Sequence, residues 1–585
     1  METGTDFTRV FDLLPYQAKR FPQSRAALAF HDGVWRPFST GQLQQLADAV
    51  SSWLINTGVN HGDRVAVVPK LGSPQWLAVD FGCQQIGAIV VPLHPTANTT
   101  DMEFILQETA ACCCITADET LVEKVKYTHV DTVPFVHHLG SFEPLHSAVA
   151  VHESLPDRKA RVTPDDVAAI MYTSGTSGTP KGAVLTHGNI VASIKSVLTL
   201  LPLEPGDRVL SFLPCSHIFE RVVCYSYLAL GVSVYFSASL EGLAGDFRSV
   251  RPLFCTAVPR TLEKMFDYLE ELRESSSFFK RWIIGWAMNL ASKYKDKAGI
   301  GYQFQLTLAR WLILYRWRRS LGGKIKYMIV GAAALRPEIA RLFSAAGILT
   351  LSGYGMTEAS PFISTNRTQP GLNKFGTVGI PVPGVDVRID AQGEDGSGEI
   401  LVRGPNIMSG YYKRPELTAE VKTPDGWLRT GDVGKMIEYR FLAITDRKKD
   451  IFKTSTGKYV APQAVQNQLN SSPFIAQSLI IGFNRPFVTA IIVPHFQLLM
   501  SWCEQHSIHW TSPPYMVHNI KVVQKYQEEI DRINRFLESH ERVKGFILSE
   551  EEWTVEGREL TTSFKPVRSN LMEKHLVQIE KLYEA

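Results

Sequence analysis

Residues 172–182 read Tyr172-Thr-Ser-Gly-Thr-Ser-Gly-Thr-Pro-Lys-Gly182. An apolar run, Val167–Thr173 (VAAIMYT), leads into them and a second (AVLTH) follows. The pattern predicts strand, Ser/Thr/Gly loop, strand. Glycines at 175, 178 and 182 permit tight turns and close approach of backbone to a ligand. Successive N–H groups and the hydroxyls of Thr173, Ser174, Thr176 and Ser177 can wrap an anion. Lys181 adds a point charge suited to phosphate. A P-loop would need G-x-x-x-x-G-K-[ST] opening a helix. Here Thr-Pro separates Gly178 from Lys181, and a glycine follows the lysine, so that reading fails. A flexible Ser/Gly linker is the plain alternative, but linker composition does not fix a lysine behind a proline inside such a loop.

Outward from this loop, short apolar runs alternate with longer amphipathic segments. Val65–Pro69, Ala88–Leu93, Val232–Phe236 and Ile325–Val330 are further strand candidates, each bounded by Gly, Pro or a polar turn. The alternation predicts an α/β fold with buried, mostly parallel sheets flanked by helices. From about residue 377 turns become dense, and Val385–Ile389 and Glu399–Val402 predict a β-rich subdomain over about 377–446. The charged stretch Asp446-Arg-Lys-Lys-Asp450 marks a domain boundary. A large N-terminal domain, 1–446, and a small α+β C-terminal domain, 447–585, are expected. In the latter, Ser478–Phe483 and Val488–Val493 read as strands and Lys521–Glu541 as a helix.

The 585 residues are 45% hydrophobic and 20% charged, close to globular averages, which excludes a disordered chain, a collagen and a coiled coil. A net charge of +3 is too balanced for a nucleic-acid-binding surface. The eight cysteines form no C-x-x-C pair, and three are consecutive (Cys112, Cys113, Cys114), so a reducing cytoplasm is expected rather than a disulfide framework. The first residues lack the basic and apolar regions of a signal peptide. No run of about 18 apolar residues is present to span a bilayer.

Further motifs accompany the loop: Gly331-Ala-Ala-Ala-Leu335 after a strand, Ser352-Gly-Tyr-Gly-Met-Thr-Glu358, and Gly426-Trp-Leu-Arg-Thr-Gly-Asp432. Phe212-Leu-Pro-Cys-Ser-His-Ile-Phe-Glu-Arg221, Lys453-Thr-Ser-Thr-Gly-Lys458 and Glu559-Leu-Thr-Thr-Ser-Phe-Lys-Pro-Val-Arg568 complete the set. Together they resemble the adenylate-forming superfamily, from about residue 10 to 570. The resemblance implies ATP-dependent activation of a carboxylate to an acyl-adenylate, with pyrophosphate released and the acyl group then passed to a thiol.

It also implies roles. Thr173, Ser174, Gly175, Thr176, Ser177, Gly178 and Lys181 hold phosphates. Gly331 and Ala332 let the adenine approach the backbone, and Tyr354 stacks on it beside Gly355. Thr357 contacts the α-phosphate, and Glu358 with Thr176 holds Mg²⁺. Asp432 takes the ribose hydroxyls, and Arg447 contacts ribose or phosphate. His217 sits beside the reacting carboxylate, and Lys449 is the hinge. Gly457 lines the path of the coenzyme A arm, and Lys565 stabilises the charge that builds during adenylation. Around Lys565 the chain departs from the family: Thr562 replaces a common proline, Pro566 follows the lysine directly, and the usual basic run breaks at Ser569.

The segment Val258–Met265 and the helical insert behind it resemble the long-chain fatty-acid branch. Within Arg273–Lys326, twelve Lys/Arg face two Asp/Glu. Trp282, Trp286, Trp311 and Trp317 lie there too. Ile283, Trp286, Ala287, Leu290 and Tyr294 share one helical face; Leu308, Trp311, Leu312 and Tyr315 share another. Such a pair can sit on an anionic membrane, can be two core helices with solvated lysines, or can in part line an acyl tunnel. The expected enzyme is a long-chain fatty-acid–CoA ligase using ATP, Mg²⁺ and coenzyme A. It is expected in the cytoplasm, at the inner face of a membrane if the insert binds lipid. An acyl-AMP ligase with another acceptor and a non-catalytic nucleotide- or lipid-binding relative remain as alternatives.

Overall fold

A computed structural model describes residues 6–584 except 129, 131, 132, 134, 147, 148, 175–178, 275, 296–298, 391–395, 449, 456, 457, 556 and 562–564. The chain forms two compact units. One comprises 1–263, 277–387 and 402–428; the other comprises 264–276, 388–401 and 429–585.

The first unit holds two large sheets. In the seven-stranded sheet the order is Gly410–Tyr411, Pro180–Thr186, Val167–Ser174, Ile89–Pro92, Arg64–Val68, Cys113–Thr116, Phe135–His138. The last five strands run parallel. Val167–Ser174 and Pro180–Thr186 form an antiparallel hairpin. The nine-stranded sheet runs from Ile380–Pro381 through Phe362–Thr365, Leu349–Gly355, Tyr327–Val330, Phe254–Ala257, Arg208–Ser211, Ser233–Phe236 and Ala27–His31 to Val34–Phe38. Its six central strands are parallel, and antiparallel strands close both edges. The parallel strands are mostly apolar and almost wholly buried, as sheets covered on both faces require.

Local chemistry starts the helices. Ser73, Asn98 and Asp118 each accept a backbone N–H from the first turn. At the end of the loop hairpin, Thr186 and Asn189 bond reciprocally and open the helix His187–Leu198. Arg221 and Asp80 form a fully buried ion pair between helices Ile218–Leu230 and Pro74–Gln85. Arg221 Nε also reaches Tyr225 Oη at 2.8 Å, and Gln84 Nε2 reaches Asp80 Oδ1 at 3.0 Å. Removing one member of such a pair typically costs ~3–5 kcal/mol, because the other charge stays buried alone.

The second unit contains most of a four-stranded sheet in the order Asp386–Asp390, Gly398–Arg403, Leu428–Ile437, Phe441–Arg447. It also has a three-stranded sheet of Ile475–Ile481, Val488–Pro494 and Val543–Leu548. Its core includes Tyr526, Ile530 and Ile533 from the helix Ile520–Asn534. That helix is shorter than the expected 521–541. Asn534 accepts from Val543 N and donates to Val543 O, both at 2.9 Å, which turns the chain into the next strand. The expected strand 478–483 is shifted to Ile475–Ile481.

All eight cysteines are free, and seven are buried. No helix among the described residues is long and apolar enough to cross a membrane.

Candidate functional site

The loop hairpin sets the first group. Thr173 pairs with Lys181 and Ser174 with Pro180, so strand pairing continues to the mouth of the loop. Gly175, Thr176, Ser177 and Gly178 lie outside the described residues. Gly182 has a packing reason to be glycine: a Cβ there would lie 2.7 Å from Ile170 Cγ2. Tyr172 Oη donates to Glu108 Oε2 at 2.6 Å, and Arg414 Nη2 bonds Glu108 Oε1 at 2.5 Å. Burial, then Glu108, pushes the Tyr172 phenol up, so it stays a donor.

Gly410–Tyr411 pairs with the hairpin's outer strand and carries Tyr411 to Lys181. Lys181 Nζ lies 5.9 Å from the Tyr411 ring centroid, and Tyr411 Oη donates to Glu358 Oε1 at 2.8 Å. Burial and the Glu358 carboxylate hold the Tyr411 hydroxyl protonated. Glu358 itself is buried in the short turn Thr357–Ala359. Met408 N–H binds its carbonyl at 2.8 Å, and Asn406 Nδ2 binds the carbonyls of Ala359 and Phe362. Tyr354 is buried and Gly355 ends its strand; a Cβ on Gly355 would meet Pro361 O at 2.0 Å. Thr357 is half-buried. The structure thus joins Lys181 to Glu358 through Tyr411, a residue the sequence motifs did not mark.

Gly331 ends the strand Tyr327–Val330 buried, and Ala332 follows exposed with φ of 70°. Left-handed backbone at an alanine is uncommon and concentrates at functional turns.

His217 precedes the helix Ile218–Leu230, half-buried. Its ring lies 4.9 Å from that of His94, which follows the strand Ile89–Pro92. Burial pushes His217 down to about 4. Burial, then His217 and Lys124, push His94 down to about 3. His94 Nδ1 accepts the Thr96 N–H at 3.2 Å, so bonding assigns its proton to Nε2. Strand ends of parallel sheets are where α/β proteins bind ligands. The sequence signal for His94 is a polar residue directly after an apolar strand, and motif matching passed over it.

In the second unit, Asp432 and Arg447 are register partners, with Nε 3.3 Å from Oδ1. Asp432 is buried and Arg447 exposed. Lys565 belongs to the same cluster. Burial and then Arg447 push its ammonium down to about 8, against the opposing pull of Asp432 and Asp450. Pro566 is accommodated by register. It faces Leu560 in an antiparallel bridge whose bonds are Thr561 N to Lys565 O and Val567 N to Glu559 O, both 2.8 Å. At that position no N–H is needed. Lys449 and Gly457 lie outside the described residues. Just before Lys449, Asp446 is buried and accepts Gln463 N–H at 3.0 Å; burial pushes its carboxyl up to about 6.

The fold is α/β, with a lysine at the mouth of the loop hairpin, a buried carboxylate bonded to one tyrosine, and two neighbouring histidine rings. Residues 14–412 match the family of AMP-binding enzymes, and residues 449–585 match the AMP-binding enzyme C-terminal domain. The chain belongs to the AMP-binding enzyme family. Long-chain-fatty-acid–CoA ligase 1 of Homo sapiens is 31% identical to it over 593 residues, covering 94% of this chain and 83% of its own. Long-chain-fatty-acid–CoA ligase FadD15 of Mycobacterium bovis is 30% identical over 570 residues, covering 94% and 93%. Among solved structures, the adenylation domain of a carboxylate reductase from Mycobacterium chelonae shares the fold. It aligns at a TM-score of 0.76 and 22% identity, covering 100% of this chain and 92% of that one.

Proposed function

We propose that this chain is an AMP-forming long-chain fatty-acid–CoA ligase. A carboxylate oxygen of the fatty acid attacks the α-phosphorus of ATP; the bond to the β-phosphate oxygen breaks, giving acyl-AMP and pyrophosphate. The thiol of coenzyme A then loses its proton and its sulfur attacks the acyl carbonyl. The bond to AMP breaks, giving acyl-CoA and AMP. The observation that carries this reading is the connected set of loop hairpin, Lys181, Tyr411 and Glu358, in a chain about 30% identical to enzymes named long-chain-fatty-acid–CoA ligases.

In this reading Lys181 and residues 173–178 hold the β- and γ-phosphates, with Thr357 on the α-phosphate. Tyr354, Gly355, Gly331 and Ala332 frame the adenine, and Asp432 and Arg447 take the ribose. His217, neutral by burial, orients the carboxylate through a neutral ring nitrogen. Lys565 meets the charge that builds at the α-phosphate.

The donor set fits Mg²⁺. One Glu358 oxygen is held by Tyr411, the other has no bond to a described residue, and a phosphate-bound Mg²⁺ needs few protein ligands. Glu358 and Thr176 would hold it, and it would supply charge neutralisation on the phosphates. We assign 1–446 as the adenylation domain, with its β-rich part at about 377–446, and 447–585 as the mobile domain turning about Lys449. Gly457 then lines the coenzyme A path. The same reading places the enzyme in the cytoplasm, meeting the inner face of a membrane through residues 273–326.

The test is product analysis with ATP, Mg²⁺, coenzyme A and fatty acids of graded length. Acyl-CoA and AMP in equal amounts, best with long chains, are expected. Pyrophosphate release without a thioester would move the reading to another acceptor.

A further inference from the structure

The strand Ile89–Pro92 lies at the centre of the seven-stranded sheet, parallel to Val167–Ser174, with Val90 and Ala169 in register. Four residues beyond that pair lie His94 and Thr173. His94 therefore leaves the sheet at the same edge as the loop hairpin. Its Nδ1 is occupied locally: it accepts Thr96 N–H at 3.2 Å and lies 2.8 Å from Thr96 Oγ1. Burial first, then His217 and Lys124, hold the ring neutral. A neutral imidazole that accepts at Nδ1 carries its proton on Nε2. Among the described residues nothing accepts that Nε2–H, and neither ring nitrogen of His217 is bonded. Both residues are half-buried, so the rings are neither sealed in the core nor spread on the surface.

The chemistry of the missing partner follows from what surrounds the two rings. Their centroids are 4.9 Å apart and their planes tilted by 47°. At that separation each ring can bring one nitrogen within ~2.9 Å of an oxygen of the same carboxylate. Lys124 Nζ donates to Pro95 O at 2.9 Å, which holds an ammonium beside His94. The charged and titratable groups that act on His94 are His217 and Lys124; among the described residues no carboxylate does. A free N–H, a second neutral ring and a nearby cation favour an anion and disfavour a cation.

We propose that His94 is a second substrate-holding residue, its Nε2–H donating to the carboxylate oxygen that stays on carbon as the acyl carbonyl. This deepens the fatty-acid reading above and rests on it for the identity of the acid. His217 meets the other oxygen. That oxygen attacks the α-phosphorus; the bond to the β-phosphate oxygen breaks, and pyrophosphate leaves with the electron pair. His94 gives up no proton. Pinning the retained oxygen aims the attacking one, which is how a positioned contact speeds a displacement.

The test compares the full chain as wild type, His94→Phe and His94→Gln. The glutamine amide can set an N–H where Nε2–H stood; phenylalanine cannot. Calorimetric titration with dodecanoate and with dodecan-1-ol separates the carboxylate from the chain that carries it. His94→Phe should weaken dodecanoate at least about tenfold, the equivalent of one hydrogen bond, and leave dodecan-1-ol within about twofold. His94→Gln should return dodecanoate to within about threefold of wild type. Tm and KM for ATP should be unchanged in both variants. Equal dodecanoate affinity in wild type and His94→Phe overturns the proposal. So does equal weakening of acid and alcohol, or a glutamine variant no better than the phenylalanine one. Unchanged dodecanoate affinity in His94→Phe, with acyl-CoA still formed, fails this proposal alone. Weakening confined to the acid, with no pyrophosphate released from any acid by wild type, fails the activity reading alone.

Discussion

The imidazoles of His94 and His217 lie 4.9 Å apart and tilted by 47°, joining the end of a strand in the seven-stranded sheet to the helix start beside the nine-stranded one. Burial leads in lowering both, to about 3 for His94 and about 4 for His217. Both rings are therefore neutral from about pH 6 to 8, where an unperturbed histidine titrates. Adenylation should show no acid limb from either ring in that range. His217→Phe keeps a ring but removes the nitrogen that orients the carboxylate. It should raise KM for the fatty acid about tenfold, the equivalent of one neutral hydrogen bond, with KM for ATP unchanged. Steady-state kinetics at several pH values check both statements.

Lys565 gives the opposite pH signature. Burial lowers its ammonium to about 8, so its charge is present below that pH and lost as pH rises through it. The rate constant kcat/KM for ATP, which reports the free enzyme, should fall above about pH 8. Lys565→Arg should carry the limb to higher pH, because guanidinium stays charged.

Glu358 and Tyr411 form a charged hydrogen bond at 2.8 Å. Glu358→Gln should sharply raise the Mg²⁺ concentration needed for half-maximal pyrophosphate release. Tyr411→Phe frees the carboxylate from its donor and should shift the same curve less, by about tenfold, a loss of ~1.4 kcal/mol in carboxylate positioning. A magnesium titration of each variant measures the order.

Glu220 is fully buried and accepts from Ser211 Oγ at 2.5 Å and Thr256 Oγ1 at 2.7 Å. Burial raises its carboxyl from 4.5 to about 7. A raised folded value means the stabilising contribution is full below about 4.5 and is lost as pH rises through about 7. Glu220→Gln keeps the shape without the charge. Its Tm relative to wild type should therefore be higher at pH 8 than at pH 5, as thermal unfolding at the two pH values will measure.

The parallel strands were legible because they are short apolar runs between turn residues, as at Val65–Pro69 and Val167–Thr173. Strand ends drifted by up to three residues, since pairing rather than composition ends a strand. The helix after Ile520 stopped at Asn534 because of side-chain bonds to Val543, a contact across the chain that periodicity does not see. The motifs brought Asp432, Arg447 and Lys565 to notice separately; only folding puts them in one cluster. Tyr411 and His94 carry no motif, and their meaning comes entirely from Glu358 and His217. Of the expected amphipathic faces, Leu308, Trp311 and Tyr315 are exposed, whereas Ala287 is buried and Ile283, Trp286, Leu290 and Tyr294 are half-buried. Periodicity identifies a face but not its side.

Single-turnover pyrophosphate release with ATP, Mg²⁺ and palmitate, followed by a coenzyme A chase, divides the two half-reactions for wild type and Lys565→Ala. Wild type should give a pyrophosphate burst, converted to palmitoyl-CoA and AMP on the chase. In the variant the burst should be slowed about 10²- to 10³-fold, the usual loss for one group that stabilises charge in the transition state. Thioester formation from supplied palmitoyl-AMP should stay near normal in that variant. No burst from wild type with any carboxylic acid, or an unchanged burst in Lys565→Ala, would contradict this mechanism.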